Sequence, residues 1–253
     1  MSIETQLTVE HLGKSTPNGV ILSDVTFSIP KKGIHGLLAP KKGGKTSLLK
    51  ILAGWDDAFE GDVILGEKSL REDSIARKRK IGFVPVKPAL DPSMTVEETV
   101  LFAGQAKGVP SGKRIARMNE AMELLSLEEV RYRLCVNLNL FERQKVAMAI
   151  ALIGNPKLLL LDSPTEALPR SEAEEMWELI RTLGRVKTLL IATDRYEEAI
   201  LCEDIIFMAD GRILAAGTVA ELEEQLARSN DGNGMSLSEV YASLCRSSKE
   251  ESK

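Results

Sequence analysis

The run Lys157-Leu-Leu-Leu-Leu-Asp162 constrains the fold more than any other segment of the chain. Four consecutive leucines have no polar face, so as a strand they need cover on both sides of a sheet. A mainly parallel α/β sheet supplies that cover, and the rest of the chain keeps the matching rhythm of short apolar runs and longer helical patterns. Strands are expected at residues 6–10, 21–29, 34–38, 62–65, 81–84, 158–161, 188–192, 205–208 and 213–215. Residues 171–183 read as an amphipathic helix, with Met176, Leu179, Ile180 and Leu183 on one stripe and Glu172, Glu174 and Glu175 in its first turns. Between residues 86 and 155 strand signals give way to helical ones at 96–106, 113–125 and 141–153, which reads as a helical insert in a sheet domain. SNDGNGMS, residues 229–236, reads as a polar linker before a short helix at 237–245 and a charged tail. The expected division is residues 1–228 for one domain carrying the insert at 86–155, and residues 229–253 for linker, short helix and tail.

Composition closes off several other classes. The chain has 253 residues, 43% hydrophobic and 28% charged, which is enough apolar material for a sizeable core and excludes a disordered chain. A formal net charge of −4 gives no reason to expect a nucleic-acid partner. Cys135, Cys202 and Cys245 are odd in number and widely separated, without metal spacing, so a reducing compartment is expected. The first residues, MSIETQLTVEHLG, lack the basic start and apolar run of a signal peptide. No uncharged apolar stretch approaches the roughly 18 to 20 residues of a membrane helix, so the chain itself is not expected to span a bilayer.

The chemistry begins where the strand at 34–38 runs into Ala39-Pro-Lys-Lys-Gly-Gly-Lys-Thr46 and then the helical SLLKILAG. This departs from G-x-x-x-x-G-K-[ST] only at Ala39, and it stands between a strand and a helix as that motif must. Such a loop turns backbone N–H groups toward phosphates at a helix N-terminus. The nucleotide-binding set is Ala39, Pro40, Lys41, Lys42, Gly43, Gly44, Lys45, Thr46 and Ser47, with Lys45 reaching the terminal phosphates and the Thr46 hydroxyl ligating Mg²⁺. Lys41 and Lys42 read either as anion contacts or as a solvated turn.

Together GIHGLLAPKKGGKTSLLKILAG, IGFVP, RQKVAMAIALIGNPKLLLLDSPTEAL and GRILAAGTVAEL resemble the nucleotide-binding domain of an ABC transporter, in the correct order over residues 7–222. SLSEVYASL resembles the C-terminal helix common in the exporting branch that handles drugs, lipids and polysaccharides. The resemblance implies a P-loop, RecA-like α/β core with a small antiparallel β-subdomain and the helical insert. It implies ATP and Mg²⁺ as ligands, with Asp162 joining Thr46 at the metal. It also implies a membrane permease as partner, a homo- or heterodimer with an ABC ATPase, and a cytoplasmic position at the inner face of the membrane. In such dimers each nucleotide lies between one chain's phosphate loop and the other's signature sequence.

Set against the family's pattern, several reactive positions are altered. Ser163 stands where the family has the Glu that polarises the attacking water, and a hydroxyl has no useful basicity at neutral pH. Glu166, beyond Pro164, does not simply take over. Asp194 replaces the switch His that contacts the terminal phosphate, and Arg195 beside it reads as a compensating charge or a solvated residue. The signature L-S-G-G-Q aligns with Leu138, Asn139, Leu140, Phe141 and Glu142. Leu140 and Phe141 are expected to obstruct the phosphate with their side chains, Glu142 to repel it, and the segment to do no more than cap a helix. Val86 replaces the glutamine after IGFVP, and Glu166-Ala167-Leu168-Pro169 lacks the final Asp of the dimer loop. No aromatic residue precedes Phe27, so the ring that stacks on adenine is missing. His11 and His35 read as packing or surface residues, and Arg77-Lys78-Arg79-Lys80 as a solvated face. Two functions follow: a transporter subunit that binds Mg-nucleotide weakly and hydrolyses it poorly or not at all, or a nucleotide-free scaffold or regulator beside a competent ATPase.

Overall fold

The computed structural model describes residues 5–71, 79–229, 236–239 and 241. Among them the chain forms two sheets. The first is antiparallel, in the order β2-β1-β4-β5, from β1 (Thr5–Thr16), β2 (Gly19–Pro30), β4 (Glu60–Leu65) and β5 (Lys68–Ser69). The second has the order β10-β9-β3-β8-β7-β6, from β3 (Gly33–Leu38), β6 (Ile81–Val84), β7 (Leu158–Asp162), β8 (Thr188–Thr193), β9 (Asp204–Ala209) and β10 (Arg212–Gly217). All its neighbours run parallel except the β9–β10 hairpin. The helices are α1 (Lys45–Leu52), α2 (Val96–Ala106), α3 (Ser111–Leu124), α4 (Leu140–Leu152), α5 (Arg170–Gly184), α6 (Tyr196–Ala199) and α7 (Val219–Ser229).

The four leucines of β7 are all fully buried, and their alternation explains how. Leu159 and Leu161 enter the core beneath α2, α4 and α5, while Leu158 and Leu160 enter the core between the two sheets and α1. Burial of each such side chain contributes about 1.5–3 kcal/mol, so the strand cannot be left bare on either face. The helical insert shares the first core through Val96, Val100, Met118, Met122, Phe141 and Met148. It is therefore packed on the sheet rather than tethered beside it.

The β1–β2 hairpin is longer than the apolar pattern indicated. Its register shifts between Val9 and Leu12 and again at Lys14 and Ser15, which hides the period-two alternation. Within the C-terminal stretch, residues 237–239 and 241 are helical; the expected linker at 229–236 and the tail, like Arg77, Lys78 and Cys245, lie largely or wholly outside the described residues. Arg79 and Lys80 are exposed, as a solvated face requires. Among the described residues no helix is long and apolar enough to cross a membrane. Cys135 and Cys202 are buried free thiols, and burial with the nearby Asp204, Glu198 and Glu203 carboxylates pushes Cys202 up to about 12.

The two histidines divide between the surface and packing positions expected of them. His11 is exposed beside Asp24, but His35 is fully buried on β3. Its Nδ1 lies 2.9 Å from both carboxylate oxygens of Asp204, and its Nε2 lies 3.0 Å from the Lys32 carbonyl. Both ring nitrogens face acceptors, an arrangement satisfied by the doubly protonated ring. Burial by itself lowers the imidazole, but the Asp204 hydrogen bond and charge, the Lys32 carbonyl and the Glu203 charge outweigh it and raise it above the ordinary value. Because the folded value exceeds the unfolded one, this stabilisation is complete below the unfolded value and is lost as pH rises through the folded one. Urea midpoints measured across that window should fall for the wild type more steeply than for His35→Gln, and parallel slopes would show that the pair carries no linkage.

Candidate functional site

The site is built at the C-terminal edge of the parallel strands. Strand β3 is buried at every residue and delivers the chain to Ala39, whose N–H donates to the Thr193 carbonyl at the end of β8 (3.2 Å). Ala39 is fully buried and is not among the residues with positive φ, so the first loop position accepts a methyl group here. Farther along, Gly43 donates to the Pro40 carbonyl (3.1 Å), and a Cβ on Gly43 would stand 3.0 Å from that oxygen. Lys42 takes a left-handed φ of 66° and Gly44 one of 97°. A Cβ on Gly44 would also meet Leu22 and Met208 at 2.9 Å, so position 44 requires glycine on two counts.

Gly44 is the N-cap of α1 and offers no side-chain acceptor, so the first amides of the helix face the loop without a side-chain cap. Lys45 is buried, its Nζ donating to the carbonyls of Ala39 (2.6 Å) and Pro40 (2.9 Å), which holds the ammonium inside the curve of the loop. Open amides, a helix N-terminus and an inward ammonium together make an anion-binding cradle. Ser47 lies in the first turn of that helix and is half-buried.

Asp162 ends β7, paired in register with Ala192 of β8. Thr46 Oγ1 donates to Asp162 Oδ2 (2.8 Å), while Asp162 Oδ1 is buried with no hydrogen-bond partner. Burial raises the carboxyl above the ordinary range, partly opposed by the Thr46 bond and the charges of Lys45 and Lys50 and reinforced by Glu166. A buried carboxylate oxygen with no donor is suited to a hard cation or its water. The pair Thr46 and Asp162 thus fits Mg²⁺, and a strand-end cap alone leaves Oδ1 unexplained.

A family model described as ABC transporter matches residues 22–166. The chain belongs to the ABC transporter family, as an ATP-binding domain. A sulfate/thiosulfate import ATP-binding protein CysA from Thermosynechococcus vestitus is 32% identical over 87% of this chain and 66% of its own length. An uncharacterized ABC transporter ATP-binding protein, YxlF from Bacillus subtilis, is 30% identical over 87% of this chain and 73% of its own. The chain spans 60% of a spermidine/putrescine import ATP-binding protein PotA from Haemophilus ducreyi, at 32% identity. Among solved structures, an ATP-binding subunit of an ABC transporter aligns with a TM-score of 0.80 at 23% identity, covering 95% of this chain and 99% of that one. A dimeric ATP-binding cassette in a post-hydrolysis state with ADP and Pi gives 0.75 at 26% identity, covering 84% and 98%. The two-sheet α/β fold with its helical insert is therefore that of an ABC cassette.

Within this ABC domain Ser163 follows Asp162 directly, buried, at a φ of 46°, its N–H donating to the Ala192 carbonyl (2.8 Å). Glu166 is exposed and donates its N–H back to the Ser163 carbonyl (3.0 Å), which closes a turn. Leu168 is half-buried, and Ala167 takes a left-handed φ of 64°. Asp194 lies just past β8, its Oδ2 3.9 Å from Lys41 Nζ. Arg195 does not turn to the loop: its Nη1 is 2.9 Å from Glu198 Oε1. The Val86 carbonyl accepts from the Gln144 amide of α4 (2.8 Å).

Residues 138–142 stand apart from the loop, on the helical insert. Asn139 Oδ1 accepts from the Glu142 N–H (2.8 Å), and Glu142 Oε2 accepts from the Asn139 N–H (2.9 Å), a complete capping box. Glu142 also pairs with Arg133 (2.8 Å). The expected capping role is what the geometry shows. The expected obstruction is corrected in part: Leu140 is exposed, but Phe141 is buried against the insert core with Lys145 over its ring at 4.6 Å. Leu138 is buried as well. The first turn of α4 aims Phe141 inward, so it cannot block a phosphate.

Two residues of the site escaped the sequence. Glu198 is buried, accepting from Thr165 and from Thr193 (2.8 Å), and so ties the turn after β7 to the end of β8. Tyr241 is buried with its ring against Phe207, and its hydroxyl donates to the Asp194 carbonyl with the Ala39 carbonyl at 3.4 Å. The aromatic residue in SLSEVYASL was the available signal for Tyr241; the pair Glu197-Glu198 offered none that separates one carboxylate from the other. Replacing Asn139 by Ala should cost about 1 kcal/mol of stability in urea denaturation by removing the α4 cap. The same variant should leave nucleotide binding at this chain's own phosphate loop unchanged.

Proposed function

We propose that this chain is a transporter ATP-binding subunit that takes Mg-nucleotide at its phosphate loop, hydrolyses it poorly or not at all, and couples to a membrane permease. The observation that carries the reading is the Thr46–Asp162 hydrogen bond beside the open end of α1, with Ser163 rather than a carboxylate at the next position. Lys45 and the α1 amides hold the phosphates, and Thr46 with Asp162 holds Mg²⁺. The metal, when bound, supplies charge neutralisation at the phosphate oxygens. What is lacking is proton removal from an attacking water: Ser163 has no basicity for it, and Glu198 is engaged by two threonines and Arg195.

The self-capped α4 extends the argument to dimers. A site on this chain's loop lacks the Glu and His of the family whatever the partner, and a site on a partner's loop meets the Asn139–Glu142 cap and the Glu142 charge. No partner completes a consensus site with this chain, and a homodimer is deficient twice. The direction of transport has support on both sides. The C-terminal SLSEVYASL likeness favours export, while the names of the CysA and PotA relatives favour import. The missing ring before Phe27 is the observation that favours the nucleotide-free scaffold.

Calorimetric titration with Mg-nucleotide should give heat for the wild type and at least tenfold weaker binding for Lys45→Ala, in line with the loss of about 1.4 kcal/mol or more. Absence of wild-type heat would favour the scaffold. Steady-state turnover should lie about 10²-fold or more below that of a cassette with the Glu in place, and a rate that collapses on Ser163→Ala would refute the impaired chemistry.

A further inference from the structure

The Lys41–Asp194 pair bears on which nucleotide the loop accepts, given that it binds one. The Ala39 N–H bond to the Thr193 carbonyl fixes the start of the loop against the last residue of β8, immediately before Asp194. From the other side the buried Tyr241 hydroxyl donates to the Asp194 carbonyl. Position 194 is thus held between the backbone bond at Thr193 and the Tyr241 hydroxyl on its own carbonyl, and its carboxylate faces Lys41 at the mouth of the loop. The Asp194 side chain is 23% exposed and that of Lys41 79%. The carboxylate is therefore the more fixed partner, and the lysine the one free to swing away.

A phosphate chain seated on α1 and Lys45 would carry any third phosphate past the loop, whose neighbours at this edge are the ends of β7 and β8. The charged groups there include Asp162, Asp194, Glu166 and the buried Glu198 on the acidic side and Lys41, Lys45, Lys50 and Arg195 on the basic side. Asp162 is matched to the metal, and Arg195 is spent on Glu198. Asp194 is left as a fixed negative charge that offsets Lys41 and opposes a third phosphate. The first two phosphates depend on the α1 amides instead, and Lys45, which reaches the terminal phosphates, serves diphosphate and triphosphate alike.

From this pair we infer that the site discriminates against the terminal phosphate and takes Mg-nucleoside diphosphate in preference to Mg-triphosphate, with Asp194 as the specificity-determining residue. The inference rests on the nucleotide-binding reading above and names the ligand within it. It inverts what the family resemblance implies at this position, a histidine in contact with the terminal phosphate.

The test is calorimetric titration of the full chain with Mg-ADP and with Mg-ATP, on the wild type, Asp194→Asn and Asp194→His. The wild type should bind Mg-ADP at least as tightly as Mg-ATP. Removing the charge in Asp194→Asn should tighten Mg-ATP about tenfold and move Mg-ADP by no more than about twofold. Asp194→His should shift the preference in the same direction, so the result does not hang on a single variant. A wild type that prefers Mg-ATP, with the same ratio in both variants, overturns this inference and leaves nucleotide binding standing. No heat with either nucleotide in any of the three proteins overturns the nucleotide-binding reading and this inference together.

Discussion

The ladder of β3, β8 and β7 is the constraint from which the site follows. Its parallel register pairs Leu38 with Thr193 and Asp162 with Ala192, so three strand ends terminate side by side. The phosphate loop leaves the first, Asp162 closes the third, and Asp194 follows the second. No side chain could set these distances alone. They are set by backbone bonds between strands buried at every residue, where an unpaired peptide group is too costly to leave. Chemistry at the edge is thus held by hydrophobic burial in the middle.

Two helix N-termini then receive opposite treatment from the same physics. Both α1 and α4 begin with amides that have no partner inside the helix. At α1 the preceding residue is glycine, forced by a left-handed backbone and by Leu22 and Met208, and no side chain closes the end. At α4 the Asn139 side chain takes the Glu142 amide and the Glu142 carboxylate takes the Asn139 amide. An anion approaching α4 would have to displace a charge-assisted hydrogen bond and face the displaced carboxylate. An anion approaching α1 displaces no side chain from the helix end. One helix end carries no side-chain cap and the other carries a capping box.

Much of this was legible in the sequence where local rules govern. The leucine run, the strand–loop–helix around Lys45 and the 3.6-residue stripe of α5 all report burial or turn geometry directly, and the structure follows them. Asn139 and Glu142 at capping-box spacing were legible too. What the sequence concealed is tertiary. Phe141 looked like an obstruction because its residue type was read without the helical phase that points it inward. His35 looked ordinary because Asp204 is brought beside it only by the β3–β9 pairing. The Lys41–Asp194 pair joins residues more than 150 positions apart through the β3–β8 ladder, and Tyr241 reaches the same point from farther still. The β1–β2 hairpin was undersized because its bulges break the alternation on which strand reading depends.

At three positions around the loop the backbone does work of its own, apart from the side chain it carries. Ser163 takes a left-handed turn and donates to Ala192; Asp194 follows β8 within reach of the loop; Ala39 bonds to Thr193. Glu198, whose carboxylate accepts from Thr165 and Thr193, adds a side-chain bond between the ends of β7 and β8. The scaffold is therefore held by main-chain geometry and by buried carboxylates behind the loop, while Lys45 and Thr46 tie the loop to itself and to Asp162. Side chains at positions 163 and 194 can therefore differ without loosening the strands beneath. That separation is why the fold alone does not report turnover, and why the charge at Asp194 has to be weighed apart from the shape around it.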